Sequence, residues 1–308
     1  MQRFLKFSSL FFLLINASVI IAQDNTDDGD APPTGKLKHW RVGIYVGSYF
    51  ANKYTASAYD GYGFDIDGNR NTFENSYMNE KINNEYGGGY GYPDQIAVAL
   101  NVNPRNSASP GWVAITEDDM PRNMHYTPSF MFGLEGKYSV DKKNAIELNL
   151  NVAKVTANGN FTISTTPPTG STQVNNSVQT FGIRGVEQRL LLQMGFCHLF
   201  GKNPNVQLLV EGGINGTYAQ FQKNEILINS LKIDLTAFYD YQGTQANYTR
   251  KPRGFVMGAY GGVGMNLSMN DNYTVQLVYN PTYEGIKVVA QSRYKLQNAI
   301  ALRAYYNF

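Results

Sequence analysis

The feature that most constrains this chain is a regular alternation of apolar and polar side chains. In the segment AIELNLNV, residues 145–152, the apolar side chains of Ile146, Leu148, Leu150 and Val152 share one face, and polar side chains occupy the other. A period of two residues is typical of a β-strand with one apolar face. Beyond the first residues of the chain, no apolar stretch reaches the roughly 20 residues that a membrane-spanning helix needs. We therefore exclude a helical membrane protein and expect an all-β fold.

Seven further segments alternate in the same way, so we predict eight strands. These segments are residues 40–50, 130–138, 186–196, 206–215, 255–267, 273–280 and 299–308. The connections alternate in length, with short polar turns at 139–144, 201–205 and 269–272 and long segments at 51–125, 156–180, 223–253 and 284–297. Outer-membrane barrels have short periplasmic turns and long extracellular loops, whereas a soluble sandwich follows no such rule. We predict an antiparallel transmembrane up-and-down β-barrel.

The first residues have the pattern of an export signal. Arg3 and Lys6 precede an apolar block, and a small-residue cleavage pattern ends at Ala22. We predict a signal peptide at 1–22, a disordered periplasmic segment at 23–38 and the barrel at 39–308. The chain has 26 basic and 24 acidic residues, so loss of Arg3 and Lys6 leaves 24 of each. This balance, without a basic stretch, argues against a nucleic-acid partner.

The segment ALRAYYNF, residues 301–308, alternates up to its aromatic end at Phe308. Together with the export signal, the eight strands and the alternating connections, it resembles the OmpA/OmpX-like eight-stranded outer-membrane barrels. The resemblance implies an outer-membrane location, contact with outer-membrane lipid and lipopolysaccharide, and recognition of Phe308 by the barrel-assembly machinery. The resemblance implies no catalytic residue in this chain. The first loop is longer than is usual in that family, so a further strand pair at residues 96–102 leaves ten strands as an alternative.

Charged side chains on the polar faces of the strands are expected to line the barrel interior. Four basic and four acidic residues fall there: Arg41, Lys137, Arg189 and Arg303, with Glu135, Glu147, Glu187 and Glu211. An eight-stranded barrel has an interior just wide enough for side chains. An unpaired buried charge costs several kcal/mol. We therefore predict an ion-pair network that plugs the lumen.

One segment carries a weak calcium signal. In DIDGNRN, residues 65–71, oxygen-bearing side chains alternate: Asp65, Asp67, Asn69 and Asn71. Arg70 stands where an EF-hand loop requires Gly, so an ordinary Asx-rich turn explains the segment better. We expect no cofactor.

The histidines give a weak signal of catalysis. His125 with Asp118 or Asp119 could form an acid–base pair, although solvated loop residues explain these side chains as well. Cys197 is the single cysteine and excludes an intramolecular disulfide. We expect that the protein is not an enzyme.

The first loop, residues 51–125, is the best candidate for a functional segment. It carries ten acidic and five basic residues. Tyr and Trp side chains give large contact area at low entropic cost. The candidates for ligand contact are therefore Tyr86, Tyr90, Tyr92 and Trp112. A loop that merely covers the barrel mouth explains the same composition. We hypothesise cell-surface binding or an accessory role in an envelope or secretion complex, with a small-solute channel as the alternative and a barrel-embedded enzyme as the third hypothesis.

Overall fold

The computed structural model describes residues 39–65, 67–83, 92–167, 177–238, 248–249, 253–286 and 294–308. The predicted signal peptide, 1–22, and the predicted periplasmic segment, 23–38, lie outside these described residues. None of the helices within the described ranges has the length and apolar character needed to cross a bilayer.

Eight long strands among the described residues form the body of the molecule. They are β1 (Trp40–Phe50), β2 (Ser129–Ser139), β3 (Asn144–Thr165), β4 (Ser177–Phe200), β5 (Val206–Ile228), β6 (Arg253–Ser268), β7 (Tyr273–Gly285) and β8 (Tyr294–Asn307). Each pairs antiparallel with its neighbours in the chain. β1 also pairs with β8, where Val42 lies opposite Tyr306. The strands therefore close into an eight-stranded up-and-down barrel, as predicted.

Tight turns join the strands at the end of the barrel where β1 begins. Between β2 and β3, the Asp141 carboxylate accepts hydrogen bonds from the backbone N–H groups of Lys143 and Asn144, both at 2.7 Å. The predicted turns at 201–205 and 269–272 join β4 to β5 and β6 to β7. The long connections lie at the opposite end, which is extracellular in barrels of this kind.

The outer surface of the barrel is an apolar band. Outward side chains such as Ile44, Leu148 and Leu192 are 47–54% exposed. Exposed aromatic side chains mark both edges of the band: Trp40, Tyr138, Tyr273, Tyr306 and Phe308 on the periplasmic side, and Phe50, Phe130, Phe255, Tyr283 and Tyr294 on the other. A contiguous apolar surface of this extent is unstable in water, and aromatic girdles mark the two membrane interfaces. The protein is an outer-membrane β-barrel.

Three strands extend far beyond the membrane, so the predicted loops at 156–180 and 223–253 are wrong over much of their length. β3, β4 and β5 contain 22, 24 and 23 residues, whereas a bilayer needs about 9–11. The outward side chains of β3 change from apolar to polar at Lys154, and the buried inward ones change from polar, as at Asn149 and Asn151, to apolar, as at Phe161 and Ile163. The period of two therefore continues with the apolar face turned inward.

The described residues between Ala51 and Pro128 form a folded cap over the extracellular mouth. The cap contains α1 (Lys53–Ala56), α2 (Tyr77–Ile82), α3 (Tyr92–Leu100) and 3-10 turns at Ser57–Tyr59 and Glu117–Asp119. Short strands beside it, His125–Thr127 and Leu231–Asp234, pair with β3 and β5, and Ala237–Phe238 pairs with Tyr248–Thr249. The predicted strand pair at residues 96–102 is therefore wrong. Ile96, Ala97 and Leu100 are buried at helical spacing, while Val98 is 81% exposed.

Candidate functional site

The periplasmic half of the lumen contains a buried ion-pair network. Arg303 donates to both oxygens of Glu211 at 2.6 and 2.8 Å, and its Nε lies 3.0 Å from Glu135. The Lys137 ammonium lies 2.9 Å from the Glu147 carboxylate. All five side chains are at most 1% exposed. The geometry thus links β2, β3, β5 and β8 across the interior.

The extracellular half of the lumen holds a second cluster around Arg189. Its Nε donates to Glu187 at 2.5 Å and one terminal nitrogen to the Tyr49 hydroxyl at 2.9 Å. The Tyr49 hydroxyl donates to Glu284 at 3.1 Å. Glu284 also accepts from Asn215 at 2.5 Å. Of the eight predicted lumen charges, Arg41 stands apart at the periplasmic rim, where it is half-buried and makes no ion pair with a described residue.

Glu284 is a lumen acid that the sequence reasoning missed. The predicted strand ends at Asn280, whereas β7 continues through Pro281 to Gly285. Asn280, Thr282 and Glu284 are all buried on the inward face. Their shared parity with Gln276 was the signal that could have identified Glu284.

The cap is anchored in the barrel mouth by Tyr59. Its hydroxyl donates to Glu187 at 2.6 Å, and its ring stacks on Phe221 with centroids 4.6 Å apart. The ring lies directly on Gly185, where an added Cβ atom would be 2.1 Å from it. Around this anchor, cap residues such as Met78 and Trp112 share one apolar core with the strand extensions. The cap and the barrel therefore form one packed unit.

An open cleft of about 960 Å³ lies within the cap. It is lined by three segments: Lys53, Tyr54 and Ser57; Asp60, Tyr62 and Arg70; and residues 117, 118 and 120–125. Asn123 accepts a hydrogen bond from the backbone N–H of Asn160 at 3.1 Å. Asn160 lies eight residues beyond Val152, the last apolar outward residue of β3, which is roughly 25 Å along a strand. The cleft is therefore above the membrane.

A hydrogen-bonded network forms the floor of this cleft. Asp60 is 5% exposed and accepts from Arg70 Nη2 at 2.7 Å and from the Tyr62 backbone N–H at 3.1 Å. The Arg70 guanidinium lies 3.6 Å from the centre of the Tyr62 ring, and the Tyr62 hydroxyl donates to Glu117 at 3.3 Å. Burial raises the pKa of the Asp60 carboxyl, and the Arg70 charge opposes this shift. Burial also raises the pKa of the Tyr62 hydroxyl, and the nearby Glu117 carboxylate raises it further.

The predicted calcium segment is an Asx-rich turn. Asp65 accepts from the backbone N–H of Asn69 at 2.7 Å and from its side chain at 3.2 Å, while Asn71 donates to the Tyr62 carbonyl at 3.1 Å. The Asp67 side chain is exposed. Within the described ranges, no three His, Cys, Asp or Glu side chains group as metal ligands.

The structure does not join His125 to a carboxylate. Its Nδ1 lies 3.0 Å from the Asn123 carbonyl oxygen. Asp118 pairs with Arg122 at 2.6 Å, and Asp119 accepts from Thr162 at 2.6 Å. Cys197 is a buried, free thiol.

Of the four residues predicted for ligand contact, the structure describes two, Tyr92 and Trp112. Tyr86 and Tyr90 lie outside the described residues. Tyr92 is partly buried against the core of the cap, and Trp112 is 1% exposed, so Trp112 is not displayed for ligand contact. Phe308 is 63% exposed at the periplasmic edge, and its N–H donates to the Trp40 carbonyl at 2.9 Å. Its role as an assembly signal stays a prediction.

No family model matches the chain, and neither does any curated protein. Among solved structures, the chain is similar to Ail, the attachment invasion locus protein of Yersinia pestis, with 10% identity over 88% of this chain and 100% of that chain (TM-score 0.36). It is similar to Neisserial surface protein A, with 6% identity over 88% and 98% of the two chains (TM-score 0.39). The outer membrane protease OmpT of Escherichia coli shows 12% identity over 64% and 70% (TM-score 0.34). The strand count, pairing order and turn lengths described above confirm the resemblance to OmpA/OmpX-like barrels.

Proposed function

We propose that this outer-membrane barrel is closed to solutes and serves as a rigid support for a binding surface on its extracellular cap. The observation that supports this best is that the described residues between Ala51 and Pro128 form a cap whose apolar core is continuous with β3, β4 and β5. A loop that only covered the mouth would not need the open cleft that the cap contains. Partners of the cap include other components of an envelope or secretion complex.

Two layers of side chains support the closed state. The Arg303 and Lys137 pairs fill the periplasmic half, and the Arg189 cluster fills the half below the cap. Tyr59 joins the second layer to the cap through Glu187. An eight-stranded barrel leaves little interior volume beyond its own side chains. A solute would have to displace buried ion pairs at both levels.

Liposome swelling tests the closed state against the channel alternative. Liposomes with the wild-type protein should swell no faster in arabinose or glycine than protein-free liposomes. A porin reconstituted in parallel serves as the positive control. Rapid swelling with wild-type protein would refute the closed state and favour a small-solute channel.

Cross-linking on intact cells tests the binding role. A photo-reactive amino acid at exposed Asp118, in the cleft, should capture a surface component that the same label at exposed Lys142, in a periplasmic turn, does not capture. Equal products from both positions, or none from Asp118, would contradict a binding cap. Cleavage of dye-labelled casein by the purified protein would contradict a non-enzymatic role.

A further inference from the structure

The size and position of the cleft limit the kind of ligand that it can bind. Its volume of about 960 Å³ lies at the upper end of the range of roughly 300–1,000 Å³ for small-molecule pockets. It is large enough for several linked rings. It also lies above the membrane, so a ligand reaches it from the extracellular medium or from the long headgroups of neighbouring lipids.

The charges that line the cleft balance one another. Three cationic side chains, Lys53, Arg70 and Arg122, stand beside three carboxylates, Asp60, Glu117 and Asp118. Arg70 pairs with Asp60 at 2.7 Å and Arg122 with Asp118 at 2.6 Å. A site without a field of one sign gives no electrostatic attraction to a polyanion or a polycation. The lining therefore favours a ligand without net charge.

The polar groups of the floor are fixed and still have hydrogen-bonding capacity. Buried Asp60 and the Tyr62 ring hold the Arg70 guanidinium in place, yet the Arg70 side chain is 52% exposed. A guanidinium has five N–H donors, and the bond to Asp60 uses one of them. Glu117 is exposed and supplies acceptor oxygens beside these donors. Adjacent donors and acceptors suit vicinal hydroxyl groups, because each hydroxyl both donates and accepts.

An aromatic face completes this arrangement. Tyr54 lines the cleft and is 43% exposed. The Lys295 ammonium lies 4.5 Å from the centre of its ring. The C–H face of a sugar ring is apolar and packs on the remaining exposed surface of such a ring.

We propose that the cleft binds a neutral, hydroxyl-rich oligosaccharide, with Arg70 and Glu117 bonding its hydroxyl groups and Tyr54 packing on a ring face. This inference rests on the proposed function, since it names the ligand class of the cap. The same chemistry is offered by a free glycan and by the sugar chain of a lipid-anchored glycan.

Binding of defined probes to the full-length mature protein in lipid nanodiscs tests this inference. The probes are neutral tetrasaccharides of glucose, galactose and mannose, with a heparin tetrasaccharide and tetralysine as charged comparators. At least one neutral probe should bind, with an affinity that 0.5 M NaCl leaves unchanged. Competition by purified lipopolysaccharide with a full sugar chain, but not by its truncated form, would assign the site to a lipid-anchored glycan. The absence of competition would assign it to free glycans.

Variants locate the binding in the cleft. Arg70→Gln and Tyr54→Ala should each weaken binding of the neutral probe by about tenfold, while Arg184→Gln, on the exposed outer face of β4, should not. Trp112 fluorescence, measured with Trp40→Phe as background, reports whether the cap remains folded in each variant. If Arg70→Gln unfolds the cap, Tyr54→Ala alone decides the location.

Two results would overturn the inference. One is the absence of binding of every neutral probe, and the other is salt-sensitive binding of a charged comparator alone. Liposomes that do not swell, together with cross-links specific to Asp118, would then preserve the proposed function while this ligand class fails. Swelling liposomes would count against the proposed function instead.

Discussion

At the scale of single residues, the direction of a side chain decides what a substitution costs. Leu148 and Asn160 lie on the same outward face of β3, but Leu148 is within the apolar band and Asn160 is above it. We expect Leu148→Arg to lower the free energy of unfolding by about 2–4 kcal/mol, because it places a charge in hydrocarbon. Asn160→Arg should change it by less than about 0.5 kcal/mol. Urea unfolding in liposomes measures both, and equal costs would refute the position of the band.

The interior charges give a second prediction at this scale. Arg303 is fully buried and is the partner of both Glu135 and Glu211. Arg303→Met should lower the free energy of unfolding by about 3–5 kcal/mol, because it leaves carboxylates buried without their cation. Arg184→Met, at an exposed position of β4, is the matched control and should be nearly neutral. A small effect of Arg303→Met in the same urea titration would argue against the ion-pair network.

At the scale of elements, the contact between the cap and β4 can be tested through glycine. A Cβ atom on Gly185 would overlap the Tyr59 ring, whereas one on Gly182 of the same strand meets nothing closer than 3.7 Å. Gly185→Ala should therefore displace the cap, and Gly182→Ala should not. With Trp40→Phe as background, Trp112 is the one tryptophan of the chain.

Trp112 fluorescence measures the displacement of the cap. In Gly185→Ala, Trp112 emission should shift to longer wavelength and acrylamide should quench it more strongly, because the buried indole becomes accessible to water. Unchanged emission in this variant would show that Tyr59 does not fix the position of the cap.

The elements also show how much of this fold the sequence could predict. The transmembrane segments were predictable because their outward faces are apolar, as in AIELNLNV at 145–152. The extensions of β3, β4 and β5 were not, because above the membrane the apolar face turns inward towards the cap. The lumen network followed from strand parity, except for Glu284 beyond Pro281. The cleft was unpredictable because it joins residues 53–70 to 117–125, which only tertiary packing brings together.

At the scale of the whole molecule, closure of the barrel depends on the seam between β1 and β8. Ile44 lies opposite Ala304 across this seam and both side chains face outward. Directly opposed residues of antiparallel strands have Cα atoms about 4.5–5.5 Å apart, which is within the range of a disulfide. Ile44→Cys with Ala304→Cys should form a disulfide that abolishes the shift in gel migration on heating without reductant.

A matched pair controls for accidental cross-linking. Ile44→Cys with Leu277→Cys places the second thiol on β7, one strand away from the seam. This pair should not cross-link, and its heat-induced shift should persist. Cross-linking of the control pair alone would refute the pairing order of the barrel.

The closing seam also dictates an order of events in biosynthesis. Residues 41–50 of β1 pair with residues 298–307 of β8. One edge of β1 therefore stays unpaired until the seven later strands have been synthesised. The cap precedes in sequence the strands that complete its core, since Met78 packs in one cluster with Ile183 and Ile226. Contacts so distant along the chain make folding slow. The core of the cap therefore stays incomplete until β4 and β5 have formed.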